Sequence, residues 1–345
     1  MGKVGMPDTK PPTVPVIEPK WLPSRSSLRS SDKLRATWLG HACYLVEFPT
    51  GLRVLFDPVF ETSCSPWPAS LLGPKRYTER PCELRDLPTV DAVVISHSHY
   101  DHLSIPSLME LKKHHPGAQY FVGLGLESWM RARGLENVTE MDWWEDAELT
   151  VKVSGDEQDD KQTSTITARV SCLPSQHNSA RGLFDKDHTL WASWSIHSGS
   201  RSVWFGGDTG YRAVPEVAEG VDDYGPEFES LPRNPQFKQI GELRGPFDLG
   251  LIPVGAYNPR AAFSGMHANP FDAVEIFRDT RCRRAMGIHW GTWALTFEEV
   301  LEPPRLLKEA LARKGIPEVG VFDVCDIGES REFGGADTGS AETEG

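Results

Sequence analysis

Short apolar runs separated by turn residues begin near Leu34. The runs LRATWL (34–39), CYLVEF (43–48) and RVLFDP (53–58) predict three strands of a β-meander. The run VDAVVIS (90–96) comes after a longer irregular stretch and lacks the alternation of polar and apolar residues of a half-buried strand. We therefore predict a strand that is buried on both faces, as in a parallel sheet.

A helical pattern follows this buried strand. Leu103, Leu108 and Leu111 lie near helical spacing, and Ser104 and Pro106 are residue types favoured at an N-cap and in a first turn. Residues 96–103 therefore form the loop between a buried strand and a helix. Polar residues in such a loop lie at the carboxyl end of a strand, where open α/β sheets usually build their sites.

Strands and helices alternate along the rest of the chain, which indicates an α/β protein. Further strands are predicted at 118–123, 166–174, 190–197, 202–208 and 247–255. Further helices are predicted at 125–134, 270–280 and 297–315. The order of these elements suggests two βα halves of similar build.

Four segments lack this pattern and set the expected domain limits. Residues 1–31 are rich in Pro, Ser and Lys and predict an extended N-terminal arm, and residues 326–345 predict an acidic, disordered tail. One folded domain is expected between them, over residues 32–325. Residues 154–165 are interpreted as a charged hairpin tip or insertion, and residues 221–244 as a polar, Pro-rich insertion.

Composition restricts the function classes. The formal net charge of −13 disfavours a nucleic-acid partner. The six cysteines form no C-x-x-C pair, so neither a disulfide framework nor a thiolate zinc site is expected. The sequence has no apolar run of transmembrane length and no signal-peptide pattern. We therefore expect an intracellular protein, either cytoplasmic or peripheral on a membrane.

The segment SHSHYDH (96–102) carries the clearest chemistry. In extended chain, residues two apart point to the same side, so His97 and His99 can hold one cation together. Asp101 and His102, after the chain turns, can face a second cation. Imidazole nitrogen and carboxylate oxygen suit Zn²⁺ without any thiolate.

Four ligands cannot complete two metal sites, and three further candidates stand at ends of strand-like runs. His177 follows VSCLPSQ, Asp208 follows SVWFGG, and His289 follows RRAMGI. Each alone has a structural alternative: a partly buried histidine, or an aspartate in a turn. The glycines before Asp208 would permit a close backbone approach at a crowded site.

SHSHYDH resembles the signature of the metallo-β-lactamase superfamily. From about residue 34 to 315 the chain also resembles a narrower family, the zinc-dependent N-acyl-phosphatidylethanolamine-hydrolysing phospholipases D. The segments that carry this resemblance include TWLGHA, LPTVDAVVISHSHYDHL, ENVTEMDWWE, PSQH, FGGDTGY, FDLGLIPVGAYNPR and IHWGTWAL, in this order. The resemblance implies an αββα sandwich of two mixed sheets flanked by helices, with the site at one edge.

The resemblance also implies a set of ligands for two zinc ions. One zinc would be held by His97, His99 and His177. The other would be held by Asp101, His102 and His289, and Asp208 would bridge the two. The implied reaction is hydrolysis of N-acyl-phosphatidylethanolamine to N-acylethanolamine and phosphatidic acid through a metal-bridging hydroxide, with Asp101 part of the catalytic centre.

Three more residues acquire expected roles from the resemblance. His267 would lie beside the metals and bind the phosphate or protonate the leaving group, or it is only a residue at a helix entry. Tyr257 would line the same pocket, or pack in the core. His41 would support a metal ligand from behind, or pack at the end of a strand.

The loop SPWPASLLGPKRY (65–77) bears on membrane contact. Trp67, Leu71 and Leu72 offer apolar groups beside cationic Lys75 and Arg76, as an interfacial contact requires, although a satellite core cluster has the same composition. The expected partner is a phospholipid substrate at a membrane surface. A homodimer is left open.

Two other functions are consistent with these residues. One is a different hydrolase on the same scaffold, such as a lactonase or a soluble phosphodiesterase, because one fold hosts many reactions. The other is a lipid-binding metalloprotein without turnover.

Overall fold

Two mixed β-sheets of seven strands each lie at the centre of the molecule. The computed structural model describes residues 5–66, 73–153, 164–218 and 220–334. The strands in chain order are β1 Leu34–Gly40, β2 Cys43–Glu47, β3 Arg53–Phe56, β4 Ala92–Val94, β5 Gln119–Gly123, β6 Val138–Met141, β7 Asp146–Val153, β8 Ser164–Leu173, β9 Ser193–Ser198, β10 Arg201–Phe205, β11 Phe247–Pro253, β12 Cys282–Ile288, β13 Phe322–Asp323 and β14 Ser330–Phe333.

Helices cover the outer faces of both sheets. They are α1 Arg25–Arg29, α2 Ile105–His114, α3 Glu127–Arg131, α4 Gln236–Leu243, α5 Arg260–Phe263, α6 Pro270–Asp279 and α7 Glu302–Arg313. Ser104 caps α2 by accepting a hydrogen bond from the backbone of Ser107, as the sequence predicted. The layers confirm the predicted αββα sandwich.

The two sheets repeat one topology. The first has the order β14-β1-β2-β3-β4-β5-β6 and the second β13-β12-β11-β10-β9-β8-β7. In the first sheet β1, β2 and β3 are antiparallel, and β3 to β6 are parallel. In the second, β7 to β10 are antiparallel, and β10 to β13 are parallel. This repetition confirms the two βα halves.

Strand β4 illustrates how the sequence pattern produces the layers. Ala92 and Val94 pack into the large core between the sheets, whereas Val93 packs into a second core under α2 and α3. Successive side chains of a strand point to opposite faces, so a strand with cores on both sides must be apolar throughout. The unbroken apolar run at 90–96 has this origin.

Strand direction brings one set of loops to one edge of the sandwich. Strands β1, β3 and β4 run in the same direction, because β1 and β3 both pair antiparallel with β2 and β3 pairs parallel with β4. Strands β8, β10, β11 and β12 also share one direction. The residues that follow these strands are therefore available to a common site.

The N-terminal segment differs from the predicted extended arm. Residues 25–29 form α1, and the guanidinium of Arg25 makes two 2.7 Å hydrogen bonds to the carboxylate of Asp91. Upstream, the backbone of Ile17 donates to Ile327. The segment is thus docked on the domain by backbone pairing and one ion pair.

The predicted start of the acidic tail at residue 326 is wrong. Ile327 is fully buried, and β14 pairs with β1 at the edge of the first sheet. Residues 335–345 lie outside the described residues. The error arose because an edge strand is stabilised by backbone hydrogen bonds and needs few apolar side chains.

The prediction that 221–244 is one polar insertion is also wrong in its second half. Residues 236–243 form α4, whose Phe237 and Ile240 are fully buried in the main core. The ring of Phe237 contacts the rings of Trp204 and Tyr211. Of the other predicted insertion, residues 154–163 lie outside the described residues, and residues 164 and 165 belong to β8.

Among the described residues, no helix has the length and apolar character needed to cross a membrane.

Replacement of Phe237 tests whether α4 belongs to the core. Because the Phe237 side chain is 0% exposed, Phe237→Ala should lower the free energy of unfolding by about 3–5 kcal/mol. The adjacent, exposed Lys238 provides the matched control, and Lys238→Ala should change stability by less than about 0.5 kcal/mol. Denaturant unfolding of both variants measures the difference. Equal effects would contradict the placement of α4.

Candidate metal centre

Side chains from both sheets converge where the strands of common direction end. His97, His99, Asp101 and His102 lie in the loop after β4, and the remaining predicted ligands follow strands of the second sheet: His177 after β8, Asp208 after β10 and His289 after β12. Their ligand atoms form overlapping groups in which all atoms lie within 4.8 Å of one another. The structure thus brings together every residue that the sequence proposed as a ligand.

The first group consists of three imidazoles. His99 Nδ1 lies 2.8 Å from His97 Nε2 and 3.2 Å from His177 Nε2. The rings of these three histidines stand nearly perpendicular to one another, at interplanar angles of 79–86°. Their nitrogen atoms therefore face a common point.

The second group combines a carboxylate with two imidazoles. Asp101 Oδ2 lies 3.4 Å from His102 Nε2 and 3.3 Å from His289 Nε2. The rings of His102 and His289 are nearly parallel, with centroids 5.2 Å apart. His102 and His289 are buried, whereas Asp101 is partly exposed, so solvent reaches this group from the side of Asp101.

Asp208 lies between the two groups. Its Oδ2 is 3.0 Å from His289 Nε2 and 3.2 Å from His102 Nε2 in the second group. The same oxygen is 3.6 Å from His177 Nε2 and 3.9 Å from His97 Nε2 in the first. One carboxylate oxygen therefore lies within 4 Å of four buried imidazoles from both groups.

Hydrogen bonds on the far side of three rings fix their orientation. His97 Nδ1 bonds Ser96 Oγ at 2.9 Å, His102 Nδ1 bonds Asp57 Oδ2 at 2.6 Å, and His177 Nδ1 bonds the carbonyl oxygen of Met266 at 2.9 Å. Each bond leaves Nε2 directed at the centre. Hydrogen bonds of this kind are the usual support of metal-bound histidines.

Sequence reasoning missed Asp57, Ser96 and Met266. Asp57 follows β3 directly and accepts hydrogen bonds from both the backbone and the hydroxyl of Ser96, at 2.7 and 2.5 Å. A polar residue at the end of the run RVLFDP was the available signal for Asp57. The contribution of Met266 comes from its backbone, for which the sequence offers no signal.

Several residues at this edge have left-handed backbone conformations. The φ angles of His41, Asp57 and His289 are 53°, 38° and 62°. Non-glycine residues adopt such values rarely, and mostly where the surrounding structure imposes them. Gly207 also has a positive φ, and a Cβ atom there would lie 2.5 Å from the Cβ of Ser96. The predicted close approach before Asp208 is therefore confirmed at Gly207.

The imidazoles of the two groups differ in their pKa values. Burial lowers the pKa of His97 and of His177 well below the usual range, so both rings are neutral. Burial also acts against ionisation of Asp208, but His102 and His289 hold its pKa well below its ordinary value. Burial acts to lower the pKa of His289, but Asp208 and Asp101 together raise it to about 9. A cation that binds the second group must therefore displace a proton.

The residues fit a divalent cation. Asp208 Oδ1 and His102 Nε2 are buried without a hydrogen-bond partner among the described residues. Buried polar atoms rarely lack a partner, and a set of inward-facing lone pairs without a cation is unfavourable. The donor atoms are imidazole nitrogens and carboxylate oxygens, the set expected for zinc and similar ions. These groups support a metal cofactor.

His41 lies beside the second group. Its Nε2 is 3.0 Å from Asp101 Oδ2, and its backbone carbonyl accepts a hydrogen bond from the backbone of His289. Burial lowers the pKa of His41 to about 3, so the ring is neutral and can donate to Asp101 from Nε2. This placement agrees with the expected supporting role.

His267 and Tyr257 have different surroundings. His267 Nδ1 lies 3.9 Å from Asp208 Oδ2, and it forms a group with His177 and Asp208. Tyr257 is 3% exposed and its hydroxyl donates to Glu302 Oε1 at 2.7 Å, which favours the packing alternative over a pocket-lining role. The predicted membrane contacts, Trp67, Leu71 and Leu72, lie outside the described residues.

A cavity of about 670 Å³ reaches Tyr100, although none of the seven proposed ligands lines it. Tyr100 lies between two of the predicted ligands, His99 and Asp101, and its ring lines the cavity together with Trp129 and Ile105. The cavity is large enough for part of a lipid-sized substrate.

Comparisons with known proteins identify the family of this chain. The family model of the β-lactamase superfamily domain matches residues 52–290. N-acyl-phosphatidylethanolamine-hydrolyzing phospholipase D 1 of Caenorhabditis elegans is 39% identical over 307 residues, which cover 87% of this chain and 76% of the nematode protein. The mitochondrial protein of this name from Saccharomyces cerevisiae is 33% identical over 299 residues, which cover 84% of this chain and 56% of the yeast protein.

A solved structure shows the same fold. A metallo hydrolase from the archaeon Ignicoccus hospitalis superposes with a TM-score of 0.54 at 18% identity, over 88% of this chain and 99% of the archaeal one. The fold and the relatives together show that this protein is a metal-dependent hydrolase. The chain belongs to the β-lactamase superfamily and, within it, to the family of the nematode N-acyl-phosphatidylethanolamine-hydrolysing phospholipase D.

Proposed function

We propose that this protein is a dinuclear zinc phosphodiesterase of the phospholipase D type, which hydrolyses N-acyl-phosphatidylethanolamine to N-acylethanolamine and phosphatidic acid. The observation that carries the proposal is the position of Asp208 Oδ2 within 4 Å of imidazoles from both groups. The names of the nematode and yeast relatives support the substrate.

His97, His99 and His177 would hold one zinc, and Asp101, His102 and His289 the other, with Asp208 between them. Zinc ions bound there would lower the pKa of water from about 15.7 towards about 7 and neutralise negative charge on a phosphodiester.

The protein's own contribution is orientation. Ser96, Asp57 and the carbonyl of Met266 fix three of the imidazoles, and His41 holds Asp101. These contacts come from loops of both sheets, so the site depends on the packing of the whole sandwich. Partial exposure of His99 and Asp101 leaves an approach for a substrate beside Tyr100.

His267 is the residue that we propose to serve the leaving group. Its Nδ1 is buried and has no hydrogen-bond partner among the described residues. Burial lowers its pKa to about 4, so the metal-free ring is neutral at pH 7. The negative charge of a bound phosphodiester favours protonation of a nearby imidazole. In the complex, His267 would therefore bind the phosphate and pass a proton to the departing alkoxide.

Hydrolysis of a defined lipid tests the proposed reaction. The zinc-loaded protein should release N-acylethanolamine from N-acyl-phosphatidylethanolamine in mixed micelles, and release should stop on chelation and return with zinc. Mass spectrometry of both products checks which bond breaks. A protein that carries zinc, opens lactones or cleaves soluble phosphodiesters and leaves the lipid intact would instead support another hydrolase of this scaffold. If the protein binds zinc but hydrolyses none of these substrates, the remaining alternative is a lipid-binding metalloprotein.

Removal of the Asp57 carboxylate charge tests whether the hydrogen bond to Asp57 orients His102 for metal binding. Asn keeps the shape of the side chain and tolerates the positive φ, so Asp57→Asn should preserve the fold and lower zinc affinity about 10- to 100-fold. Competition with a chromophoric chelator measures this change. Asp187 is exposed and also has a positive φ, so Asp187→Asn is the matched control and should bind zinc normally. Unchanged affinity in Asp57→Asn would count against this support.

Substitution of His267 separates catalysis from metal binding. His267→Ala should lower kcat by about 10²- to 10⁴-fold, the usual contribution of general acid–base catalysis, with the zinc content unchanged. His267→Gln can still donate a hydrogen bond to the phosphate but cannot transfer a proton, so it should remain slow. Full recovery in His267→Gln would exclude proton transfer, and loss of zinc from either variant would make His267 a ligand.

A further inference from the structure

A short loop beside the metal centre carries two fully solvated apolar side chains. Leu183 and Phe184 are each 91% exposed, more than any other large apolar residue that the structure describes. The next most exposed, Val319 and Leu243, reach 68% and 63% in separate elements. Single exposed apolar residues are common on protein surfaces, but two adjacent ones at a loop tip are a frequent mark of an interaction site.

The loop is held in this shape by its own polar groups. Asp185 accepts hydrogen bonds from the backbone of Gly182 at 2.7 Å and of Arg181 at 3.1 Å. At the base, the backbone of Asp187 donates to Ser179 at 2.7 Å. These bonds define a tight turn that keeps Leu183 and Phe184 in water, where burial on a neighbouring surface would be favourable.

The loop is also tied to the segment that carries the predicted ligands. Arg181 Nη1 donates to the carbonyl oxygens of Ser98 and Leu103, at 2.7 and 2.8 Å. The hydroxyl of Tyr100 donates to the carbonyl of Arg181, and the Arg181 guanidinium lies 4.0 Å from the centre of the Tyr100 ring. The loop begins after His177. A surface that contacts its tip is therefore held at a fixed place relative to the metal centre.

Cationic, acidic and aromatic groups lie in or near the loop: Lys186, Asp185 and Asp187 belong to it, and Arg133 and Trp129 line the same cavity as Arg181. The guanidinium of Arg133 lies 3.8 Å from the centre of the Trp129 ring, and Arg133 and Lys186 are exposed. Arg133, Trp129 and Arg181 all line the 670 Å³ cavity beside Tyr100. In a chain of net charge −13, this face combines apolar tips, exposed cations and an adjoining cavity. That combination matches a phospholipid surface, which offers an apolar interior beneath anionic phosphates.

We propose that Leu183 and Phe184 insert into a phospholipid bilayer and thereby dock the cavity beside Tyr100 on the membrane that supplies the substrate. This inference rests on the proposed function for its substrate, but the binding itself is measured separately from hydrolysis. The loop differs from the segment 65–77 that the sequence indicated as a membrane contact. Burial of each of these two side chains in the bilayer should strengthen the partitioning of the protein onto vesicles several-fold or more.

Co-sedimentation with vesicles tests the docking loop. The full-length, zinc-loaded protein is mixed with vesicles of phosphatidylcholine and phosphatidylglycerol. The variant Leu183→Ser/Phe184→Ser should partition at least about tenfold more weakly than the wild type. The matched control Leu243→Ser/Val319→Ser replaces two exposed apolar residues elsewhere and should bind as the wild type does. Equal partitioning of all three proteins, or absence of vesicle binding by the wild type, would overturn the proposal.

Two further measurements separate the alternatives. Hydrolysis of a water-soluble phosphodiester should be unchanged in Leu183→Ser/Phe184→Ser, whereas hydrolysis of lipid in vesicles should fall with the partitioning. A loop that serves a second copy of the chain would instead change the sedimentation coefficient without vesicles, which would overturn the membrane assignment. If the wild type binds vesicles through this loop but releases no N-acylethanolamine, the docking stands and the proposed substrate fails.

Discussion

The carboxylate of Asp208 is the contact on which the site depends. It stands within 4 Å of imidazoles that come from the loop after β4 in one sheet and from the ends of β8 and β12 in the other. Without a metal ion, the buried carboxylate is balanced by imidazoles whose pKa is raised, such as His289 with a pKa of about 9. Two cations bound as proposed would connect the loops of the two sheets through these side chains. We therefore regard metal binding as part of what holds the edge of the sandwich together.

The common strand direction explains why one edge can hold so many functional groups. Each half of the chain has an antiparallel part followed by a parallel part, and several strands of each half share one direction, so that they end at the same edge. The proposed ligands therefore come from short segments after strands, and the residues that orient their rings, such as Asp57 after β3, come from equivalent positions. The same edge continues into the loop of Leu183 and Phe184, which is braced by the backbone of the ligand segment. The metal centre and the proposed membrane-docking loop are thus held by the same segment of the chain.

The sequence predicts what depends on local pattern and misses what depends on packing. SHSHYDH after a buried strand predicts the first loop of the site, and the positions of His177, Asp208 and His289 after apolar runs predict the others. Asp57 is not distinguished by spacing, because its role depends on a contact with His102, 45 residues away. Helix α4 is missed because only Phe237, Ile240 and Gly241 of its residues are buried. The end of the domain is misplaced because β14 is stabilised by backbone pairing with β1.

Anomalous diffraction from zinc-loaded crystals at the zinc absorption edge would show whether two metal ions share Asp208. Two peaks about 3.5–4 Å apart are expected, the usual separation in two-metal sites. One peak should lie among His97, His99 and His177, and the other among Asp101, His102 and His289. A single peak in fully loaded crystals, or two peaks of which one has no contact with Asp208, would contradict a shared dinuclear centre.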